Sequence, residues 1–282
     1  MKNLFVHSPL LVRVLITLAI VAGGVAVVYF ATGAAGAVDS ATTVSAPLDA
    51  KTNNREIDNV AFGVGEKLFY DINYGFINAG TASMEIADLI EYEGRPCYQI
   101  VTHANSNGFF SKFYKVEDRV ESIVDAIGIY AWRFEKNLRE GTYRADRQYT
   151  FDQIGHVVHY DKDTIPVEPF VHDALSALYF VRTQPLEVGT SLYLDNFVDG
   201  KKYKLEVRVH RKERIKVAAG TFDCVVVEPL SQAVGVFKHE GTLTVWLTDD
   251  RLRLPVLMKS RIVVGSVSAE LTDYKLGEIR NF

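Results

Sequence analysis

The stretch GTLTVWLTDDRLRLPVLMKSRIVVGSVSAELTDYKL, residues 241–276, decides how the rest of the chain is read. Leu243, Val245 and Leu247 alternate with Thr244, Trp246 and Thr248, a period of two that gives a strand two different faces. Thr248, Asp249, Asp250 and Arg251 are turn formers. After Pro255, the run 256–264 is rich in β-branched residues and predicts a second strand. Gly265-Ser266 is a two-residue hairpin signal, because glycine takes the positive φ that a type II′ turn needs at its first central position. Val267, Ala269 and Leu271 then face one way, and Ser268, Glu270 and Thr272 the other. The prediction is a three-stranded antiparallel meander.

Upstream, similar runs recur at 66–74, 81–90, 97–104, 116–124, 130–138, 141–151, 156–160, 191–198, 203–217 and 224–230. Short polar turns separate them, including 75–80 and 93–96, so they read as one antiparallel all-β body. One segment breaks the pattern. Leu175, Leu178, Tyr179 and Arg182 fall at helical spacing, Asp173 suits a helix N-terminus, and Pro169 and Pro185 bracket the segment. A helix over 172–182 should pack its apolar stripe on the sheet or plug an open barrel end. Residues 109–114 are an aromatic cluster suited to a single helical turn.

The N-terminus has a separate logic. Lys2 and Arg13 precede an apolar run at 14–31, followed by Ala35-Gly36-Ala37. These are the parts of a secretory signal peptide cleaved after Ala37. The run also approaches the ~18–20 residues of a membrane-spanning helix, so an uncleaved anchor is the rival reading. Either way the remainder is exported, because the positive residues stay inside. Residues 38–59 are small and polar and read as a linker, leaving 60–282 as the folded domain.

Removing residues 1–37 leaves 29 basic and 35 acidic residues, a net charge of −6. That balance, with no concentrated basic face, excludes nucleic acid as a partner. The basic run between Lys201 and Lys216 could touch anionic lipid headgroups, but Glu206 and Glu213 interrupt it and it reads as the solvated face of a hairpin. Cys97 and Cys224 either pair in an oxidising compartment or serve as buried hydrophobes. With no histidine cluster nearby, they do not make a zinc site.

Several motifs together resemble the DUF3108 family. They are 65–68 with Tyr70, residues 74–80, the segment 173–182, Gly220 to Cys224, and 246–250 with 254–256. The resemblance covers about residues 60–276 and implies an exported bacterial envelope protein. It supplies no catalytic residue to carry over.

Candidate chemistry is sparse. Asp249 and Asp250 are adjacent, but in a turn such residues cap their own backbone. His156 and His159 are placed for opposite faces of a strand. His172, Asp173 and Ser176 supply a base, an acid and a hydroxyl, without the nucleophile elbow that would organise them. There is no phosphate loop, dinucleotide fingerprint or HExxH motif, so no cofactor or metal is expected. The aromatics are more suggestive: Phe109, Phe110, Phe113, Trp132, Phe134, Tyr149, Tyr179, Phe180 and Trp246 would fill a core or line an apolar cavity.

The expected fold is therefore all-β: a curved antiparallel sheet or incomplete β-barrel, lipocalin-like or LolA-like in outline, with one helix and an N-terminal apolar helix. The expected function is non-enzymatic, in the periplasm or anchored to the inner membrane. The expected partner is lipid or another apolar ligand held in the barrel interior. An envelope scaffold acting through an exposed sheet edge is the alternative, and a hydrolase the third.

Overall fold

The computed structural model describes residues 55–231, 243–261, 265–280 and 282. The proposed signal or anchor at 1–37, and the linker as far as residue 54, lie outside them. Along the chain the strands are β1 (Lys67–Tyr74), β2 (Ile77–Tyr92), β3 (Arg95–Ser106), β4 (Glu117–Asp125), β5 (Ala131–Glu140), β6 (Tyr143–Asp152), β7 (Val157–Tyr160) and β8 (Asp163–Pro166). Helix α1 (Ala174–Arg182) follows, and then β9 (Ser191–Val198), β10 (Lys201–Val217), β11 (Gly220–Ser231), β12 (Leu243–Thr248), β13 (Pro255–Arg261) and β14 (Ser266–Lys275).

All 14 strands form one antiparallel sheet in the order β8-β7-β6-β5-β4-β3-β2-β1-β14-β13-β12-β11-β10-β9. Nearly every neighbour in space is a neighbour in sequence; the exception is β1 against β14, which joins the two halves. The expected meander is present as β12-β13-β14, with one change at its second turn. Ser266 is already a strand residue opposite Arg261, so Gly265-Ser266 is not a two-residue turn. The turn expected over 75–80 is tighter than its composition suggests. Tyr74 pairs directly with Ile77, and Asn78 to Gly80 continue in β2.

The sheet curls until its edges approach. Phe197 on β9 packs against Phe151 and Tyr149 on β6, with ring centroids 6.1 and 6.0 Å apart. Lys136 on β5 reaches Asp199, just beyond β9, at 2.7 Å. The segment entering α1 stitches the gap: His172 exchanges backbone hydrogen bonds with Asp195 and Phe197, and the Gln153 amide donates to the Val171 carbonyl. Both edges are blunted, β8 by its four-residue length and Pro166, β9 by the His172 bridge.

Helix α1 plugs this incomplete barrel, and all nine of its residues are buried. Leu68, Tyr70, Met84, Ile100, Leu205, Val227, Met258 and Leu271 belong to the same core. Outward positions on β5 are Arg133, Glu135, Asn137 and Arg139, half-buried beside the buried Phe134 and Leu138. A charged outside around an apolar inside is the reverse of a membrane-spanning barrel. Among the described residues no helix is long and apolar enough to cross a membrane.

Cys97 and Cys224 are free and buried, on β3 and β11, so they act as small hydrophobes. The body also starts earlier than its composition suggests. Arg55, expected in the linker, donates to the carbonyls of Gly128 and Ile129 at 2.7 and 2.8 Å, and Ile57 bonds Ile127. Polar residues read as linker here seal one end of the barrel.

Candidate functional site

The two ends of the barrel differ. One is closed by the entering strap 55–66, the turn 126–130, the loop 249–254 and the C-terminal segment, which bond one another: Val64 pairs with Glu278, and Arg182 donates to Leu252. At the other end the turns 75–76, 107–116, 141–142 and 199–200 form a rim, and the clefts toward that end are apolar. One cleft lies between α1 and the β10–β13 wall, lined by Leu178, Val181, Val207, Val227, Val245 and Met258. A second lies under the Phe110 turn, against Ile72, Ala79, Ala104, Tyr114 and Val116. Each encloses about 30 Å³. That is roughly one water's share of liquid, against the several hundred Å³ of ordinary ligand pockets.

The nine aromatics singled out in the sequence do not converge on a lumen. Phe109 and Phe113 stand outside the barrel on the rim, packed on each other with centroids 5.5 Å apart, while Phe110 lines a cleft. Residues 110–112 do form the expected single turn. Trp132 belongs to a separate small cluster with Cys97, Ile123 and Tyr130, and its indole N–H donates to Asp125. Trp246 has the opposite parity to the cleft-lining Val245 and donates to Glu213. Phe134, Tyr149, Tyr179 and Phe180 do point inward, where they fill space: Tyr149 stacks on Tyr160 at 4.4 Å, and Tyr179 meets Phe62 edge-on at 4.7 Å. A sheet this curled converges its inward side chains, and among the described residues the helix fills the space they face.

His172, Asp173 and Ser176 are brought together and spent on structure. Asp173 is the N-cap of α1, accepting from the amides of Leu175 and Ser176, and its own N–H donates to the Ser176 hydroxyl at 2.9 Å. The second Asp173 oxygen accepts from Ser122. His172 is buried, and its Nε2 lies 3.3 Å from Arg55 Nη2. Burial, then the adjacent cation, holds its imidazole neutral, with a pKa well below the usual range. The Ser176 hydroxyl is engaged by the Asp173 backbone rather than by His172, and the arrangement is a capping box.

The remaining candidates resolve in the same direction. Asp250 accepts from the amides of Leu252 and Arg253, and Asp249 pairs with Lys212 and Arg253. His156 sits in a turn, while His159 is exposed and contacts Thr164. Within the basic run of β10, Lys204, Arg208, Arg211, Lys212 and Arg214 all meet carboxylates. Among the described residues no cluster of three metal-ligating side chains occurs.

Sequence reading missed the charges inside the barrel. Glu66 and Arg182 form a fully buried ion pair. Asp118 and Glu140 are a buried carboxyl pair, and burial together with the Asp118 charge pushes Glu140 up to about 8. Burial lowers Arg55 to about 10, and its guanidinium lies over the rings of Phe170, Phe180 and Tyr130. One signal was available: Lys136 and Glu140 share strand parity with Phe134 and Leu138, so they had to point inward with them.

Among the described residues, fold and site together define a helix-plugged, incomplete antiparallel barrel, closed at one end and with apolar clefts toward the other. The family model for DUF3108, a protein family of unknown function, matches residues 70–272, and the chain belongs to that family. A crystal structure of a β-barrel-like protein of the DUF1849 domain from Brucella abortus is similar over 78% of this chain and 100% of its own, with TM-score 0.54 and 11% identity. That likeness shows the fold. More distant matches, at 11% identity, are an exported protein of YmcC-like fold from Bacteroides fragilis and a lipoprotein from Parabacteroides distasonis. They cover 78% and 79% of this chain and 99% and 100% of their own, with TM-scores 0.30 and 0.33. No curated protein matches the sequence.

Proposed function

We propose that this protein is a non-enzymatic component of the bacterial envelope, exported by its N-terminal segment, that binds an amphiphilic ligand at the apolar end of its barrel. The observation that carries this reading is the cleft between α1 and the β10–β13 wall, lined by apolar side chains, while the opposite end is sealed by hydrogen bonds. Side chains that could do chemistry are instead committed to caps and ion pairs. Because aromatic side chains and α1 fill the barrel's centre, this reading puts the ligand at the mouth instead. At about 30 Å³ the cleft takes a chain terminus, and a longer acyl segment enters only as Leu178 and Met258 repack. Each methylene buried would contribute about 0.8 kcal/mol.

The test is native mass spectrometry of the full chain purified from its own envelope, with titration by a lysophospholipid. A bound species of defined mass, displaced by the lysophospholipid and lost in Ala177→Phe with an unchanged circular dichroism spectrum, supports the reading. An empty parent chain that takes up no lysophospholipid saturably overturns it.

A further inference from the structure

Four large apolar side chains project from the rim. Phe76 is fully exposed, and Phe113, Phe109 and Ile77 are 72%, 64% and 57% exposed. They come from two separate connections, β1–β2 and β3–β4, that are tied into one platform. The Asn107 amide donates to the Asn78 carbonyl at 2.7 Å, and the Asn107 N–H to Ala79 at 2.9 Å. The same Asn107 side chain accepts from the amides of Phe109 and Phe110, holding the aromatic turn in place. The neighbouring β5–β6 turn joins through the Gly141 N–H, which donates to Lys115 at 2.7 Å, and brings the exposed Tyr143 alongside.

The three connections that carry these tips hold cations, and the acids begin just outside them, at Glu117 and at Asp199 on the same rim. Residues 75–80, 106–116 and 141–144 include Lys112, Lys115 and Arg144 and no acid. Lys115 pairs with Glu117, while Lys112 and Arg144 meet no carboxylate among the described residues. On β10, by comparison, Lys204, Arg208, Arg211, Lys212 and Arg214 are each matched by an acid. Among the described residues the tips are separate aromatic points on a fixed rim with two unmatched cations, Lys112 and Arg144, and the cleft beneath Phe110 encloses only about 30 Å³, too little for a peptide. They suit a surface that is apolar beneath and negative at the top.

We infer that the rim bearing Phe76, Ile77, Phe109 and Phe113 docks on an anionic phospholipid bilayer, its rings entering the headgroup region while Lys112, Lys115 and Arg144 meet lipid phosphates. Docking in this orientation turns the apolar mouth toward the membrane, yet it does not depend on the cleft holding a ligand.

The experiment uses the full chain. Its apolar segment 14–31 can insert in any vesicle, so the readout must be local. An indole is introduced by Phe113→Trp on the rim or, as control, by Ile154→Trp, an exposed site at the closed end. Quenching by brominated lipid is compared in phosphatidylglycerol-containing and phosphatidylcholine vesicles. Docking predicts quenching at position 113 at least about two-fold stronger in anionic vesicles, little at 154, and loss of the preference in Lys112→Glu/Arg144→Glu. Raising salt from about 0.1 to about 1 M, which shortens the Debye length from about 10 to about 3 Å, should remove it too. Equal quenching at both positions, or none at 113 in protein that floats with the vesicles, overturns the inference. So does a blue shift at 113 that grows with protein concentration without vesicles, which would mean that a second copy covers the rim.

Discussion

Arg182, at the end of α1, and Glu66, just before β1, form a two-pronged ion pair with N–O distances of 2.6 and 2.7 Å, neither residue more than 1% exposed. Tyr179 donates to the same carboxylate, and the guanidinium also reaches the Leu252 carbonyl. The plug is thus pinned to the closed end by charge.

Removing one partner leaves the other buried and unmatched. Glu66→Gln should lower unfolding free energy by about 3–5 kcal/mol, whereas Glu66→Leu/Arg182→Met should lose much less. Urea unfolding of the three chains checks this. Equal losses in the single and double variants would show that the pair is not what holds the helix.

Asp118 and Glu140 predict a stability that depends on pH. Glu140 rises from an ordinary 4.5 to about 8, chiefly by burial and then by the Asp118 charge, so near neutrality it is protonated and donates to Asp118. A carboxyl whose folded pKa is raised contributes stability that is full below about 4.5 and is lost as pH rises through about 8. The melting temperature of the parent should fall from pH 5 to pH 9. Glu140→Gln, which keeps a donor toward Asp118 but no titrating proton, should flatten that fall. Scanning calorimetry across the range measures both.

The capping box orders two substitutions. Asp173→Ala removes the cap and also strands the Ser122 hydroxyl, and should cost about 2 kcal/mol or more. Ser176→Ala loses the reciprocal bond alone, about 1 kcal/mol. Chemical denaturation ranks them. A hydrolytic activity abolished by Ser176→Ala at undiminished stability would reverse the structural assignment of this serine.

Burial pushes both thiols, Cys97 and Cys224, up to about 12. Neither should react with Ellman's reagent in the native chain at pH 8, and both should react once it is unfolded. A chain that yields no thiol after unfolding would be disulfide-bonded, contrary to this geometry.

Strand alternation made the β body legible from the sequence. Leu68, Tyr70 and Ile72 on β1, and Val267, Ala269 and Leu271 on β14, were assigned to one face by parity and are buried together. The helix was equally legible, because Asp173 and the spacing of Leu175, Leu178 and Arg182 encode its start and its stripe. Local chemistry also settled the Asp249-Asp250 turn and the matched charges of β10.

What the tertiary structure decided was where each aromatic and each charge ends up. Parity says that two residues share a face, but it does not say whether that face surrounds a space, and here α1 fills it. A run such as Phe109 to Phe113 looks apolar whether it lies in a core or on a rim; its exposure follows from Asn107 anchoring it to the next hairpin. The pairing of Glu66 with Arg182 spans more than a hundred residues, and no local pattern records it. Sequence alone determined the elements and their faces, since those depend on neighbours two to four residues away. Curling the sheet around its helix determined the closed end, the apolar mouth and the projecting rim, since these depend on residues that meet only after folding.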